Sequence, residues 1–178
     1  MTLEIQNIET ERLNLIAADH WLLRAIISGA ILRSFPYKPA PGWPLRESAE
    51  VMPMFANIIE QQGFVSGFEF WLIAHKQQGI IIGDAGFSSL PDKSGAVEVG
   101  YSIVENHRRS GYATEALHAL MGWVFTQPAV RKIIARCDPL NKASVKTLTK
   151  AGFSLDSHDE QFLHWVKNKC TCPETVTQ

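Results

Sequence analysis

Three β-rich runs, Phe68 to His75, Ile80 to Ser88 and Ala96 to Val104, follow one another across short stretches of turn chemistry, Gln77-Gln78-Gly79 and Pro91-Asp92-Lys93-Ser94-Gly95. An antiparallel meander is the cheapest structure for that pattern, and the rest of the chain must be built around it. Ahead of it, Leu13 and Leu15 alternate with Arg12 and Asn14, the period of a half-buried strand over Thr10 to Ile16. Leu22, Leu23, Ile26, Ile27 and Ala30 then take helical spacing between Asp19, a good N-cap, and Arg33. Four prolines, Pro36, Pro39, Pro41 and Pro44, exclude both helix and central strand from Phe35 to Pro44. Helical spacing returns from Arg46 to Gln62, where Pro53 predicts a kink or a boundary between two pieces.

Behind the meander the texture alternates. A helix is predicted from Ala113 to Phe125, closed by Pro128, then a strand from Lys132 to Cys137 and a helix from Asn141 to Ala151 ended by Gly152. Phe153 to Leu155 and Gln161 to Val166 read as two last strands, and the polar stretch 168–178 is expected to fray. No repeat or linker divides the chain, so one domain is expected over 1–167 with a tail over 168–178. At 178 residues, 46% hydrophobic and 20% charged, the chain has the mix of a folded domain.

Seventeen Lys and Arg against eighteen Asp and Glu provide no bulk field to attract nucleic acid or an anionic membrane. The first residues lack the basic start of a signal peptide, and Arg24 interrupts the best apolar run, so neither export nor a membrane span is expected. Cys137, Cys170 and Cys172 are too few and too unevenly placed for a disulfide framework, which points to the cytoplasm. Cys137 is expected in the core. Cys170-Thr171-Cys172 beside His158 or His164 is weak as a metal site, and no metal is expected.

The chemistry concentrates between Val97 and Ala116. A strand passes through a short polar loop straight into a helix, and a helix start offers unpaired amides and a partial positive charge to a phosphate anion. Gly111 permits close approach there. Arg108-Arg109-Ser110-Gly111-Tyr112-Ala113 resembles the Arg/Gln-x-x-Gly-x-Gly/Ala element of the GNAT superfamily of acetyl-CoA-dependent N-acetyltransferases, with Arg109 where many members carry a further Gly. Asn141-x-x-Ser144 through Lys150-Ala151-Gly152-Phe153 reads physically as a capped helix, and is similar to the matching helix of the Rim-type branch, the ribosomal-protein N-terminal acetyltransferases. Thr10-Glu11-Arg12-Leu13-Asn14-Leu15 and Val97-Glu98-Val99-Gly100-Tyr101 resemble that branch's opening and central strands.

The resemblance implies an α/β GNAT fold, a mixed and mostly antiparallel sheet of about seven strands with helices on both faces. It implies that the pantetheine arm of acetyl-CoA runs beside Tyr101, Ser102 and Ile103, and that the diphosphate sits on Arg109, Ser110, Gly111, Tyr112, Ala113 and Thr114, with Arg108 opening the motif. Asn141 would bond the amide arm and Ser144 would lie near the sulfur. The phenolic acid many members place seven residues after the Asn is replaced by Leu148, which leaves Ser144 as donor to the departing thiolate. Glu98 is a candidate base acting through water, against the alternative of a cross-strand ion pair. Phe35, Tyr37 and Trp43 are candidate acceptor contacts or core caps. Acetyl transfer to a primary amine is the expected activity, a protein N-terminus being the first choice of acceptor. A polyamine, amino acid or aminoglycoside is the alternative acceptor, a silent acyl-CoA-binding module the alternative class, and the assembly state, monomer or homodimer, stays open.

Overall fold

The run Phe70–His75 (β4) is buried at all six positions because it lies inside a nine-stranded sheet covered on both sides. Successive residues point to opposite faces. Thus Phe70 meets Phe55, 5.9 Å between ring centres, whereas Trp71 meets Trp123 at 5.4 Å. Phe55 belongs to α2 (Arg46–Gln62) and Trp123 to α3 (Tyr112–Val124), one helix on each face. The computed structural model describes residues 5–30 and 35–170.

The meander is as expected: β4, β5 (Ile80–Phe87) and β6 (Ala96–Ile103) pair antiparallel in sequence order. β2 (Leu13–Ala17) pairs antiparallel with β4 on one side. On the other, β7 (Lys132–Cys137) runs parallel to β6, reached through α3, and is followed by α4 (Lys142–Lys150). β9 (Leu163–Asn168) pairs antiparallel with β7, and β8 (Ser154–His158) forms the exposed edge. This is the expected α/β architecture, mixed and mostly antiparallel.

Two strands escaped the sequence reading because each is only two residues long. β1 (Ile8–Glu9) folds back on β2. β3 (Lys38–Pro39) pairs parallel with Ile80 and Ile81 inside the proline-rich segment. The amides of Lys38 and Ala40 donate to Gly79 and Ile81 on either side of Pro39, so the missing proline N–H falls where the ladder needs none.

The first helix is shorter than expected. Asp19 does cap α1 (His20–Ile27), accepting the Leu22 amide at 2.7 Å, but the Ser28 amide returns to Arg24 and ends it. The rest of its expected span, from Ile31 to Arg33, and Ser34 at the start of the following loop lie outside the described residues. In α2 the boundary that Pro53 offered does not occur, and one helix runs through it. Pro53 and Ala49 both face outward, so the carbonyl that loses its N–H partner is exposed to water. Cys137 is buried, with the Trp165 indole N–H donating to its sulfur at 3.3 Å. Cys170 is free and exposed, and Cys172 with most of the expected tail lies outside the described residues. Among the described residues no helix is long and apolar enough to cross a membrane.

Gly67 packs into the α3 face of the sheet. Its φ is 85°, its carbonyl accepts the Trp71 indole N–H at 2.8 Å, and a Cβ there would overlap the Trp123 indole. Gly67→Ala is therefore expected to cost about 2–4 kcal/mol through backbone strain and overpacking, measured by urea unfolding followed in tryptophan fluorescence.

Candidate active site

β6 and β7 are paired only where Ala96 to Glu98 meets Lys132 to Ile134. Beyond that point they separate, Ala135 to Cys137 staying with β9. The carbonyl of Glu98 and the amide of Val104 turn toward β5, bonding Ser88 and Ile82 at 2.9 Å each. By alternation the peptide groups of Val99, Tyr101 and Ile103 turn into the gap. The Arg108 Nε donates to the Ile103 carbonyl at 2.8 Å, and the pairing of Glu98 with Ile134 uses the Val99 amide, leaving the Val99 carbonyl and both backbone groups of Tyr101 open to a strand-like ligand. Ser102 corrects the sequence reading. Its peptide groups face β5, where it ladders with Asp84, so its backbone is turned away from the gap.

At the far end of the gap the chain passes a short 3-10 turn, Glu105–His107, and enters the loop before α3. None of the amides from Arg109 to Thr114 is bonded to a described residue, and the first helical bond runs from Glu115 to Gly111 at 3.0 Å. Arg109 and Gly111 both have positive φ, 62° and 83°, which turns successive amides outward. Six open amides at a helix start form a site that could hold a diphosphate. Beside them, a groove of about 920 Å³ is lined by Thr10, Arg12, Gly111, Thr114, His118 and Lys150 among others.

The loop is held from a distance. Glu115 accepts the Thr10 hydroxyl at 2.6 Å, the Arg12 amide at 3.0 Å and Arg12 Nε at 2.7 Å. Partial burial opposes its ionisation, but these bonds together keep the carboxyl below its ordinary pKa. The Arg12 guanidinium also lies over the Tyr112 ring, 4.4 Å from its centre. Tyr112 Oη is 2.9 Å from Nε2 of buried His75, whose Nδ1 accepts the Gln78 amide, so Nε2 is the donor. The Thr-x-Arg of the opening strand therefore acts physically as a clamp on the start of α3.

Across the gap, Asn141 Oδ1 accepts the Ser144 amide at 3.0 Å and caps α4. Its side-chain NH₂ remains to meet a ligand, and Ser144 is partly exposed in the first turn. Leu148 is buried at 1% exposure, as its apolar character demands. A phenol is nevertheless present, supplied by a different element: Tyr101 Oη lies 3.5 Å from the Ser144 carbonyl. Burial raises its pKa above the ordinary value against contacts with Ser144 and Thr147, so the phenol keeps its proton.

The opposite face of β6 carries Glu98, Gly100 and Ser102. Gly100 is exposed, with nothing within 4 Å of where a Cβ would be, so the sheet surface is bare at that point. Glu98 corrects the expectation of a water-linked base. Arg136 engages both its oxygens, Nε at 2.7 Å and a terminal nitrogen at 3.4 Å, which is the ion-pair alternative. Trp43 is 6% exposed and sends its indole N–H to Asp84 Oδ2 at 2.8 Å, forming core rather than open pocket wall. Phe35 and Tyr37 pack edge to face, and Tyr37 Oη accepts from Asn14 on β2 at 3.2 Å. β2 lies three strands from β6, so these two rings are far from Gly100. Asp84 and Ser48, which the sequence reading missed, complete this face. Ser48 and Ser102 both donate to Asp84 Oδ1, at 2.8 and 3.0 Å. An acid breaking the apolar run Ile80-Ile81-Ile82-Gly83-Asp84-Ala85 was the signal available for it.

Comparison with known proteins agrees with this geometry. The family described as acetyltransferase (GNAT) domain matches residues 16–154. The uncharacterized N-acetyltransferase YjdG of Bacillus subtilis (strain 168) is 34% identical over 161 residues, 89% of this chain and 96% of that protein. The uncharacterized N-acetyltransferase YoaA of the same organism is 30% identical over 120 residues, 67% and 66% of the two chains. Among solved structures, the ribosomal-protein-S5-alanine acetyltransferase of Vibrio fischeri superposes with a TM-score of 0.68 at 17% identity, covering 92% of this chain and 97% of that one. A GNAT-family acetyltransferase from Bacillus anthracis gives 0.63 at 18% identity over 92% and 98%.

A side chain at Gly111 would be strained by its positive φ and would stand among the outward amides, with the Arg12 guanidinium 3.5 Å away. Titration calorimetry is therefore expected to find acetyl-CoA binding abolished in Gly111→Val, while the thermal midpoint falls by only a few degrees, about 1–2 kcal/mol of local strain.

Proposed function

Because the chain belongs to the GNAT acetyltransferase family, whose fold implies acetyl transfer from acetyl-CoA, we propose that it acetylates a primary amine, the α-amine of a protein or peptide N-terminus, in the cytoplasm. The observation that carries the reading is a succession along one stretch of chain: the strand edge left unpaired at Tyr101 is followed, across one short turn, by the open amides of Arg109 to Thr114. A pantetheine arm is peptide-like, with two amides at strand-like spacing. Open backbone groups on one strand edge favour such a partner, as they favour an added strand.

In this reading the amides of Arg109 to Thr114 hold the diphosphate and the groove toward Lys150 takes the nucleotide end. Val99 and Tyr101 bond the arm, the Asn141 NH₂ bonds its amide carbonyl, and Ser144 donates a hydrogen bond to the departing sulfur. The acceptor approaches over Gly100. Direct attack by a neutral amine needs no acyl-enzyme, and Cys137, buried under Trp165, is not placed as a nucleophile. The α-amine suits a site with few strong bases. With a pKa near 7.8 it is about one-tenth to one-fifth neutral at pH 7, whereas a lysine near 10.4 is neutral in about one part in 2,500. The choice of acceptor follows the Rim-type resemblance and the fold shared with the ribosomal-protein acetyltransferase of Vibrio fischeri.

Thiol release from acetyl-CoA, measured with free and N-terminally blocked peptides, spermidine, amino acids and an aminoglycoside, tests the reading. Turnover is expected with free-amine peptides and should vanish on blocking. Turnover restricted to small amines would reassign the acceptor, and saturable binding without turnover would make the protein an acyl-CoA-binding module. Asn141→Asp separates the two roles of that side chain, because it retains the cap and removes the NH₂. The thermal midpoint is expected to hold and kcat to fall about ten-fold, the worth of one hydrogen bond of about 1.4 kcal/mol.

A further inference from the structure

Four polar side chains are buried among the described residues: Ser48, Glu69, His75 and Asp84. Glu69 closes the loop between α2 and β4 by accepting the Ser66 and Gly67 amides. His75 is committed to Tyr112. Ser48 and Asp84 belong to one cluster that neither the anion loop nor the gap employs. On Asp84 three elements converge: Trp43 from the proline-rich loop, Ser48 from the first turn of α2, and Ser102 from β6. A desolvated carboxylate at the middle of a sheet is a costly way to fill a core that an apolar side chain would fill without penalty.

A hydroxyl that donates its proton to a carboxylate keeps its oxygen lone pairs for a further donor. Ser48 is 5% exposed and enclosed. Ser102 is only partly buried, and on its face of β6 the next residue is the bare Gly100. Of the two hydroxyls, Ser102 is the one a ligand over Gly100 would meet. Glu98, the one acid of β6, is already engaged by Arg136.

We propose that Ser102 and Asp84 form the proton exit of the acceptor site, Ser102 Oγ receiving the proton of the attacking amine while its own passes to Asp84 Oδ1. The proposal rests on the amine-acetylation reading and names the base that reading lacked. The bond from amine nitrogen to acetyl carbon forms, and the carbon–sulfur bond breaks with its electron pair leaving on sulfur. The proton lost by nitrogen reaches Asp84 through Ser102 and is released to solvent, while the thiolate takes one proton from solvent. Ser102 touches the amine and is the catalytic residue; Asp84 acts through it and is a positioning residue. The groups that face Asp84 are the Trp43 indole, the Ser48 and Ser102 hydroxyls and, across the ladder, Leu72 of β4. None of these is charged. Burial pushes Asp84 above the ordinary carboxylate range against its three donors, which strengthens it as a proton acceptor.

The base works only when ionised, so its protonation adds an acid limb to that of the amine. For the intact protein with acetyl-CoA and the amine it turns over fastest, log kcat/KM should fall at low pH with a slope of about two. Ser102→Ala is expected to lower kcat about a hundred-fold and reduce that slope to about one, with acetyl-CoA affinity within about two-fold of wild type; Ser102→Thr, which keeps the hydroxyl, should restore most of the rate. Asp84→Asn should also lose one limb, and if it fails to fold, the Ser102 pair decides. Wild-type rate and slope in Ser102→Ala would overturn the relay and leave the acetyl-transfer reading standing. A wild-type protein that binds acetyl-CoA and acetylates no amine would overturn both.

Discussion

The parting of β6 from β7 after Glu98 and Ile134 is the constraint on which the other features of the site depend. A parallel pair continued to its natural length would satisfy the Val99 carbonyl and the peptide groups of Tyr101 and leave no entry. Both strands have reasons to diverge. β7 is tied along its whole length to β9, and β6 from Val99 to Ile103 is tied to β5, so each follows the twist of a different half of the sheet. α4 begins beyond the mouth of the opening, with Asn141 and Ser144 at its first turn. The two faces of β6 then divide the labour by simple alternation, Tyr101 toward α4 and Ser102 toward α2.

That division places unlike chemistry within one residue of sequence. Burial keeps the Tyr101 phenol protonated, and Ser102 lies against a carboxylate that burial also keeps from ionising easily. The cost of burying Asp84 is met by donors from three separate elements, so the cluster also fixes the proline-rich loop and the start of α2 against the sheet. A core position that stabilised nothing else would favour an apolar side chain, and the absence of any charged partner among the described residues argues against an ion-pair role.

Local pattern in the sequence carried the meander, the strand Lys132 to Cys137 and the helix capped by Asn141, because apolar periodicity and turn residues act within a few positions. The helix start after Gly111 was legible too, since strand, short polar loop and helix follow one another within a few residues. What it missed acts across the chain. β3 exists only through a partner far along the sequence, and Asp84 is a lone acid in an apolar run until Trp43, Ser48 and Ser102 come together around it. Glu98 was visible, but its engagement by Arg136 on β7 was not. Ser102 was assigned to the gap because its neighbours belong there; only the register with Asp84 reveals which way its peptide groups turn.

The clamp between Thr10, Arg12 and Glu115 joins positions 103 and 105 residues apart. The anion loop is therefore not a portable module. During synthesis the opening strand emerges early and waits for most of the domain before its counterpart appears, so the loop takes its open form late and all at once. Transplanting Arg108 to Ala113 into another scaffold would transfer the glycine and the arginines but leave behind the distant hand that keeps them open.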